Sequence, residues 1–257
     1  MSAQLLELDG VSRAFGGLRA VDGVSLALPA GARHGLIGPN GAGKSTLFKL
    51  IGGAERVTAG RIRFAGEDVT AMPEHQRARR GIAQTFQHSK LFLGLTCREN
   101  IALALQRVDG TARRVLGRRR PQLDEQVDAL LERTGLAERR GHSVASLSHG
   151  ERRQLEVAIA LGCSPRLMLL DEPAAGMSPA ETDRLAELIR ELDPSLTVLV
   201  IEHDLDFVFR VARTVSVLHL GSLVATGPAA EVRDSAEVAR VYLGGAQVED
   251  LFLEAGA

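Results

Sequence analysis

Short apolar runs bounded by turn residues recur along the chain, at 33–37, 62–64, 167–170, 197–201, 215–218 and 223–225. Unbroken runs of this length suit strands covered on both faces, so they predict buried parallel strands flanked by helices. Between them the apolar positions take helical spacing: Leu47, Phe48, Leu50 and Ile51; then Val127, Leu130 and Leu131 within 124–133; then Leu185, Leu188 and Ile189 within 181–192. Residues 1–10 alternate apolar and polar side chains without the basic start and apolar centre of a signal peptide, and read as a first strand. Strand and helix in alternation predict a layered α/β fold. From about 91 to 146 the strand signals vanish and the pattern turns helical, which predicts an inserted helical lobe. No apolar run reaches the roughly 18 to 20 residues that span a bilayer, so any membrane crossing would belong to other subunits.

Chemistry enters between the run at 33–37 and the helix that follows. Residues 38–46 are Gly38, Pro39, Asn40, Gly41, Ala42, Gly43, Lys44, Ser45 and Thr46, a GxxxxGKS/T loop leading from strand to helix. The glycines let the backbone turn tightly with its N–H groups inward, the helix adds the positive end of its dipole, and Lys44 supplies a fixed cation. A chance match to those four specified positions arises in on the order of one chain in a hundred of this length. The loop therefore predicts binding of ATP or GTP. The run at 167–170 ends in Asp171, Glu172 and Pro173, which delivers two carboxylates to a strand's carboxyl end, where open α/β sheets hold ligands. Asp171 suits Mg²⁺ together with the hydroxyl of Ser45, and Glu172 suits a general base or water-positioning group.

Composition adds bounds. A chain of 257 residues allows one large core, or a core with a smaller lobe. Lys and Arg number 31 against 32 Asp and Glu, a formal charge of -1, which gives no global attraction to nucleic acid or anionic lipid. Cys97 and Cys163 are far apart and lack CxxC or His spacing, so neither zinc nor a disulfide framework is expected, and a reducing cytoplasm fits. Arg107, Arg113, Arg114, Arg118, Arg119 and Arg120 form a basic run inside the helical lobe. A solvated loop is the first reading of that run, ahead of contact with phosphates or lipid headgroups.

Leu147, Ser148, His149, Gly150 and Glu151 resemble the LSGGQ signature of ATP-binding cassette (ABC) ATPases, in the right order: P-loop, helical lobe, signature, acidic strand. Read physically, Ser148 and Glu151 also form a capping box that opens a helix, and a capped helix start offers N–H groups and a hydroxyl to an anion. The resemblance covers nearly the whole chain. It implies one ATP-binding domain: an α/β P-loop NTPase (RecA-like) core with a mixed sheet and an N-terminal antiparallel β portion (1–90 and 147–228), an inserted α-helical subdomain (91–146) and a C-terminal extension (229–257). It also implies that Ser148, His149 and Gly150 contact the γ-phosphate of ATP held by an opposing subunit. Gln87, in the stretch 84–90, resembles the Q-loop residue that senses Mg²⁺ and attacking water. His203, in IEHD, resembles the switch histidine at the γ-phosphate. Phe15, in RAFGG, resembles the aromatic that stacks on adenine, with a core phenylalanine as the competing reading. His149 replaces a glycine, Glu151 stands where glutamine is commoner, and Ser178 stands where many relatives carry the D-loop aspartate.

Within the family, stretches 14–25, 172–178, 202–205 and 238–244 resemble the ATP-binding subunits of branched-chain amino acid uptake systems, then those for urea and short amides. That resemblance implies ATP and Mg²⁺ as cofactors and a second ABC ATPase subunit as partner, a heterodimer first. It further implies two membrane permease subunits, an extracytoplasmic solute-binding protein reached indirectly, no nucleic acid, and a peripheral position on the cytoplasmic face of the membrane. A lipid exporter is a rival within the class. A soluble ABC protein would carry two fused cassettes or a coiled-coil insertion, and a GTP switch would carry NKxD; neither feature is found.

Overall fold

The computed structural model describes residues 4–85, 91–108 and 121–243. One sheet is antiparallel, in the order β2-β1-β4-β5, from β1 (Gln4–Phe15), β2 (Leu18–Pro29), β4 (Ala59–Phe64) and β5 (Glu67–Asp68). The other runs β10-β9-β3-β8-β7-β6, from β3 (Arg33–Ile37), β6 (Ile82–Gln84), β7 (Leu167–Asp171), β8 (Thr197–Ile201), β9 (Thr214–His219) and β10 (Ser222–Pro228). Its pairings are parallel except for β9 with β10. The helices are α1 (Lys44–Gly52), α2 (Glu74–Arg79), α3 (Cys97–Val108), α4 (Pro121–Arg133), α5 (His149–Gly162), α6 (Pro179–Glu191), α7 (Leu205–Val211), α8 (Ala229–Arg233) and α9 (Ala236–Leu243).

The unbroken apolar runs of β7 and β8 follow from burial on both faces. Leu167, Leu169, Leu199 and Ile201 pack with Leu47, Phe48, Leu50 and Ile51 of α1 and with Leu6, Leu8, Ile62 and Phe64 of the antiparallel sheet. The alternate residues Met168, Leu170, Val198 and Val200 pack with Leu185 and Ile189 of α6, Val157 of α5 and Phe207 of α7. Each such side chain contributes roughly 1.5 to 3 kcal/mol, so α1 is fixed between two sheets. Its last turn is fixed by a charge as well. Buried Arg77 donates through Nη1 to the carbonyls of Leu50 (2.6 Å) and Ile51 (2.7 Å), and through Nε to Met72 O (2.9 Å). A cation on the terminal carbonyls complements the helix dipole.

Two of the six runs expected to be parallel are not. The stretch 62–64 lies in β4, antiparallel to β1, with Ile62 and Phe64 buried and Arg63 exposed. The stretch 223–225 lies in β10, antiparallel to β9. The physical reason is connection length: β9 and β10 are joined by Leu220 and Gly221 alone, both at positive φ (46° and 84°), a hairpin turn, whereas a parallel pair needs a long crossover. The short β6 was not anticipated; it pairs parallel to β7 at the sheet edge.

Cys97, Ile101 and Leu105 of α3, Val127, Leu130 and Leu131 of α4, and Leu155 and Ala158 of α5 form a separate apolar cluster. The helix that Ser148 opens is thus shared between this cluster and the core beneath β7. Val232 of α8 and Val238 of α9 pack with Ile37, Val215 and Val217. Most of the expected basic run, and residues 244–257 of the expected C-terminal extension, lie outside the described residues.

His34 on β3 is buried, with Nδ1 2.8 Å from Thr214 Oγ1 and Nε2 2.9 Å from Ser216 Oγ. Burial disfavours the imidazolium and pulls its pKa down from 6.5 to about 4. The unfolded chain takes up this proton first, so the contribution of His34 to stability is present above pH 6.5 and is lost as pH falls toward 4, by up to about 3 kcal/mol. Asp171 has the opposite sign: its folded pKa rises from 3.8 to about 6, so acidification favours the folded form over the window from about 6 down to 3.8. The two oppose each other in the parent chain, and subtraction of a variant isolates one. In denaturant titrations the advantage of the parent over His34→Gln is expected to shrink by about 2 to 3 kcal/mol between pH 7 and pH 4. Parallel pH curves would contradict this.

Candidate functional site

Strand register brings the chemistry to one edge. Leu36 of β3 stands opposite Ile201 of β8, and Ile201 stands opposite Asp171 of β7. The residues that follow these three strands, namely the 38–46 loop, Glu172 and the pair Glu202 and His203, therefore leave the sheet at a common level. That level is the carboxyl edge of parallel strands, where α/β sheets bind ligands.

The loop is glycine-dependent for steric reasons. Gly38 (φ 149°) and Gly43 (φ 103°) hold positive φ, and a Cβ on them would stand 2.1 Å from Leu218 O and from Ala20 O respectively. Gly41 is also at positive φ (80°) but faces open space. α1 starts at Lys44 with no side-chain cap and no acidic residue in its first turn, which leaves its leading N–H groups for an anion. Lys44 Nζ donates to Gly38 O (2.5 Å) and Pro39 O (3.0 Å), bridging the loop. Burial lowers the Lys44 pKa, and the charges of Glu172 and Asp171 oppose that shift. Ala42 is buried, Ser45 and Thr46 are half-buried, and Asn40 is exposed.

Asp171 is buried at the end of β7, and its Oδ1 accepts no hydrogen bond among the described residues. Burial raises its pKa to about 6, with further upward pushes from Glu172 and Glu202 against the pull of Lys49 and Lys44. Glu172 adopts φ 47°, a left-handed conformation rare for a residue with a side chain, while its N–H donates to Ile201 O (2.8 Å). Such strain, of order 1 to 3 kcal/mol, clusters at functional sites. His203 is exposed, with Nδ1 3.5 Å from Glu202 Oε2.

Glu202 has no role in the sequence reading, yet it organises this corner. It is fully buried; Oε1 accepts the Ala174 N–H (2.8 Å) and Oε2 accepts the His203 N–H (3.1 Å). Burial raises its pKa, against those hydrogen bonds. It thereby ties the turn after Glu172 to the segment carrying His203. The available signal was a carboxylate directly after a buried apolar strand, as Glu172 is after β7.

Phe15 closes β1 with 44% of its surface exposed, and the Arg13 guanidinium lies 4.4 Å from its ring centroid. This excludes the core reading and leaves an exposed aromatic plate. Ser148 and His149 are exposed at the start of α5, and Gly150 is buried. The capping box is formed: Ser148 Oγ accepts the Glu151 N–H (3.1 Å), and Glu151 Oε2 accepts the Ser148 N–H (2.8 Å). His149 Nε2 donates to Ala175 O (2.9 Å), which fixes its tautomer. Ser178 precedes α6 and donates through N (2.9 Å) and Oγ (2.8 Å) to Glu181 Oε2. Gln87 lies outside the described residues.

A lysine held in a glycine-turned loop, level with strand-end carboxylates, defines a P-loop nucleotide-binding protein. The ABC transporter family model matches residues 21–175. The high-affinity branched-chain amino acid transport ATP-binding protein BraF of Pseudomonas aeruginosa is 38% identical over 95% of this chain and 99% of its own length. LivG of Salmonella typhimurium, described in the same words, has the same identity and coverage. Among solved structures, the ADP conformation of an ATP-binding cassette of an ABC transporter superposes with a TM-score of 0.83 at 27% identity, covering 95% of this chain and all of that one. The chain belongs to the ABC transporter family, as an ATP-binding subunit with ATPase activity. Among the described residues no helix is long and apolar enough to cross a membrane.

Proposed function

We propose that this chain powers uptake of branched-chain amino acids as a peripheral subunit on the cytoplasmic face of the membrane, pairing with a second ABC ATPase beneath two permease subunits. An extracytoplasmic binding protein would deliver the solute. The observation that carries the motor reading is the common level of the 38–46 loop, Asp171, Glu172 and His203. The solute class rests on 38% identity to BraF and LivG across nearly the full chain.

Lys44 and the N–H groups of the loop bind the β- and γ-phosphates, and Phe15 stacks on adenine. Glu172 accepts the proton of the water that attacks the γ-phosphorus as the bond to the bridging oxygen breaks, giving ADP and phosphate. His203, held by Glu202, contacts the γ-phosphate. The unpartnered Asp171 Oδ1 suits Mg²⁺, with Ser45 and Gln87 as further ligands. When bound, that ion offsets charge on the phosphate oxygens. Ser148, His149 and Gly150 serve the ATP of the opposing subunit, consistent with the exposure of Ser148 and His149.

A docking surface supports the permease partners. Phe92 (60% exposed), Leu93 (49%) and Leu103 (40%) sit on the lobe formed by α3 and α4. Buried Asn100 pins the backbone of Phe92, accepting its N–H (2.9 Å) and donating to its carbonyl (3.1 Å). Holding large apolar side chains in water suits a protein partner. Membrane extracts of the source cell should yield this chain together with permease subunits. Phe92→Asp with Leu93→Asp is expected to lower that recovery at least tenfold while ATP affinity stays within about twofold. Undiminished recovery removes this surface from docking. Reconstituted vesicles that accumulate leucine on ATP addition support the solute assignment, and accumulation of urea in its place refutes it.

A further inference from the structure

The tip of α5 already holds an anion from its own chain. Ser148 Oγ donates to Glu181 Oε1 at 3.0 Å. The Glu181 side chain lies over Gly150 so closely that a Cβ there would come 2.4 Å from Oε1 and 2.5 Å from Cδ. The other oxygen, Oε2, accepts from the N–H and hydroxyl of Ser178, which anchors the carboxylate at the start of α6. Gly150 thus makes room for a carboxylate of this chain, and the one hydroxyl proton that Ser148 can donate is spent on it.

We infer that Glu181 is a resident stand-in for phosphate, a positioning residue that orients the Ser148 hydroxyl in the open subunit and must release it before the opposing subunit's triphosphate is engaged. This rests on the proposed contact between Ser148 and the ATP of a second subunit. A carboxylate and a phosphate oxygen both accept from a hydroxyl and both carry negative charge, so they compete for one donor and repel each other. The segment 172–181 then has two ends with separate duties: Glu172 at the chain's own nucleotide and Glu181 at the surface offered to its neighbour.

Glu181→Gln separates this role from a structural one. Glutamine serves in a capping box as glutamate does, so α6 keeps its start while the charge is gone. The full chain is used with the ATPase subunit that co-purifies with it, a second copy or a relative, and closure of the pair is followed by intersubunit energy transfer as ATP is added. Glu181→Gln is expected to lower the ATP concentration for half-closure about 3- to 10-fold, with ATP affinity of the separated chain unchanged. A purely structural role for Glu181 predicts the reverse, closure at higher ATP. In a Ser148→Ala background the gain from Glu181→Gln should be smaller than in the parent, because the part that comes from freeing the shared hydroxyl is absent and only the relief of charge repulsion remains. An unchanged or raised half-closure concentration, or the same gain without Ser148, overturns the inference alone. No ATP-driven closure of the parent pair overturns the two-subunit reading and the inference with it.

Discussion

Replacing Glu172 with glutamine is expected to lower steady-state phosphate release at least 100-fold while ATP affinity changes less than about threefold, since a positioned general base contributes roughly 10²- to 10⁴-fold. The two side chains have the same shape, and the left-handed backbone at φ 47° is already imposed by the surrounding turn, so the fold should tolerate the exchange. The main-chain anchor to Ile201 O is untouched. Electrostatics supply an internal check. The Glu172 charge is one of the influences that push the Asp171 pKa up, after burial, so the variant should bring the Asp171 pKa down toward the ordinary carboxylate value. Titration of Asp171 by carbon-detected NMR would read that fall. Preserved phosphate release in Glu172→Gln would remove Glu172 as the proton acceptor. Loss of ATP affinity in parallel would mean that the carboxylate supports the loop, not the reaction.

Gly43→Ala is expected to be, with Gly38→Ala, among the most damaging single-methyl changes in the phosphate loop. The added Cβ meets the Ala20 carbonyl at 2.1 Å, and φ 103° is unfavourable for any residue with a side chain. Left-handed strain and overpacking against backbone together cost about 3 kcal/mol. Displacing Gly43 also displaces Lys44 and the first turn of α1, so ATP affinity should fall at least 100-fold. Gly41→Ala is the matched comparison. Its φ is 80° but its Cβ would enter open space, so denaturant unfolding should show a loss of only about 1 to 2 kcal/mol. Equal losses at the two positions would show that backbone conformation alone, and not the approach of Ala20 O, makes glycine necessary at position 43.

The phosphate loop was legible because its demands are local: a strand, positive-φ glycines, a lysine and a helix start within nine consecutive residues. The carboxylates at 171 and 172 were legible for the same reason, as was the capping box at Ser148 and Glu151. Phe15 was not: a phenylalanine at the end of an alternating strand reads as core or surface until its neighbours are known, and its exposure beneath Arg13 decided between them. Glu202 and Glu181 escaped for a further reason. Each matters through a partner far along the chain, Ala174 for the first and Ser148 for the second, and a single carboxylate after a strand or in a helix's first turn looks like any other.

The layered alternation of strand and helix, the nucleotide chemistry and the family were legible in the sequence alone, because periodicity, turn residues and motif spacing act over a few neighbouring positions. Only the tertiary structure decided which runs pair antiparallel, which strand ends share a level and which distant carboxylates meet. Register and packing are set by contacts between segments far apart in the chain, as Leu36 and Ile201 are at 165 positions, and no local pattern encodes them.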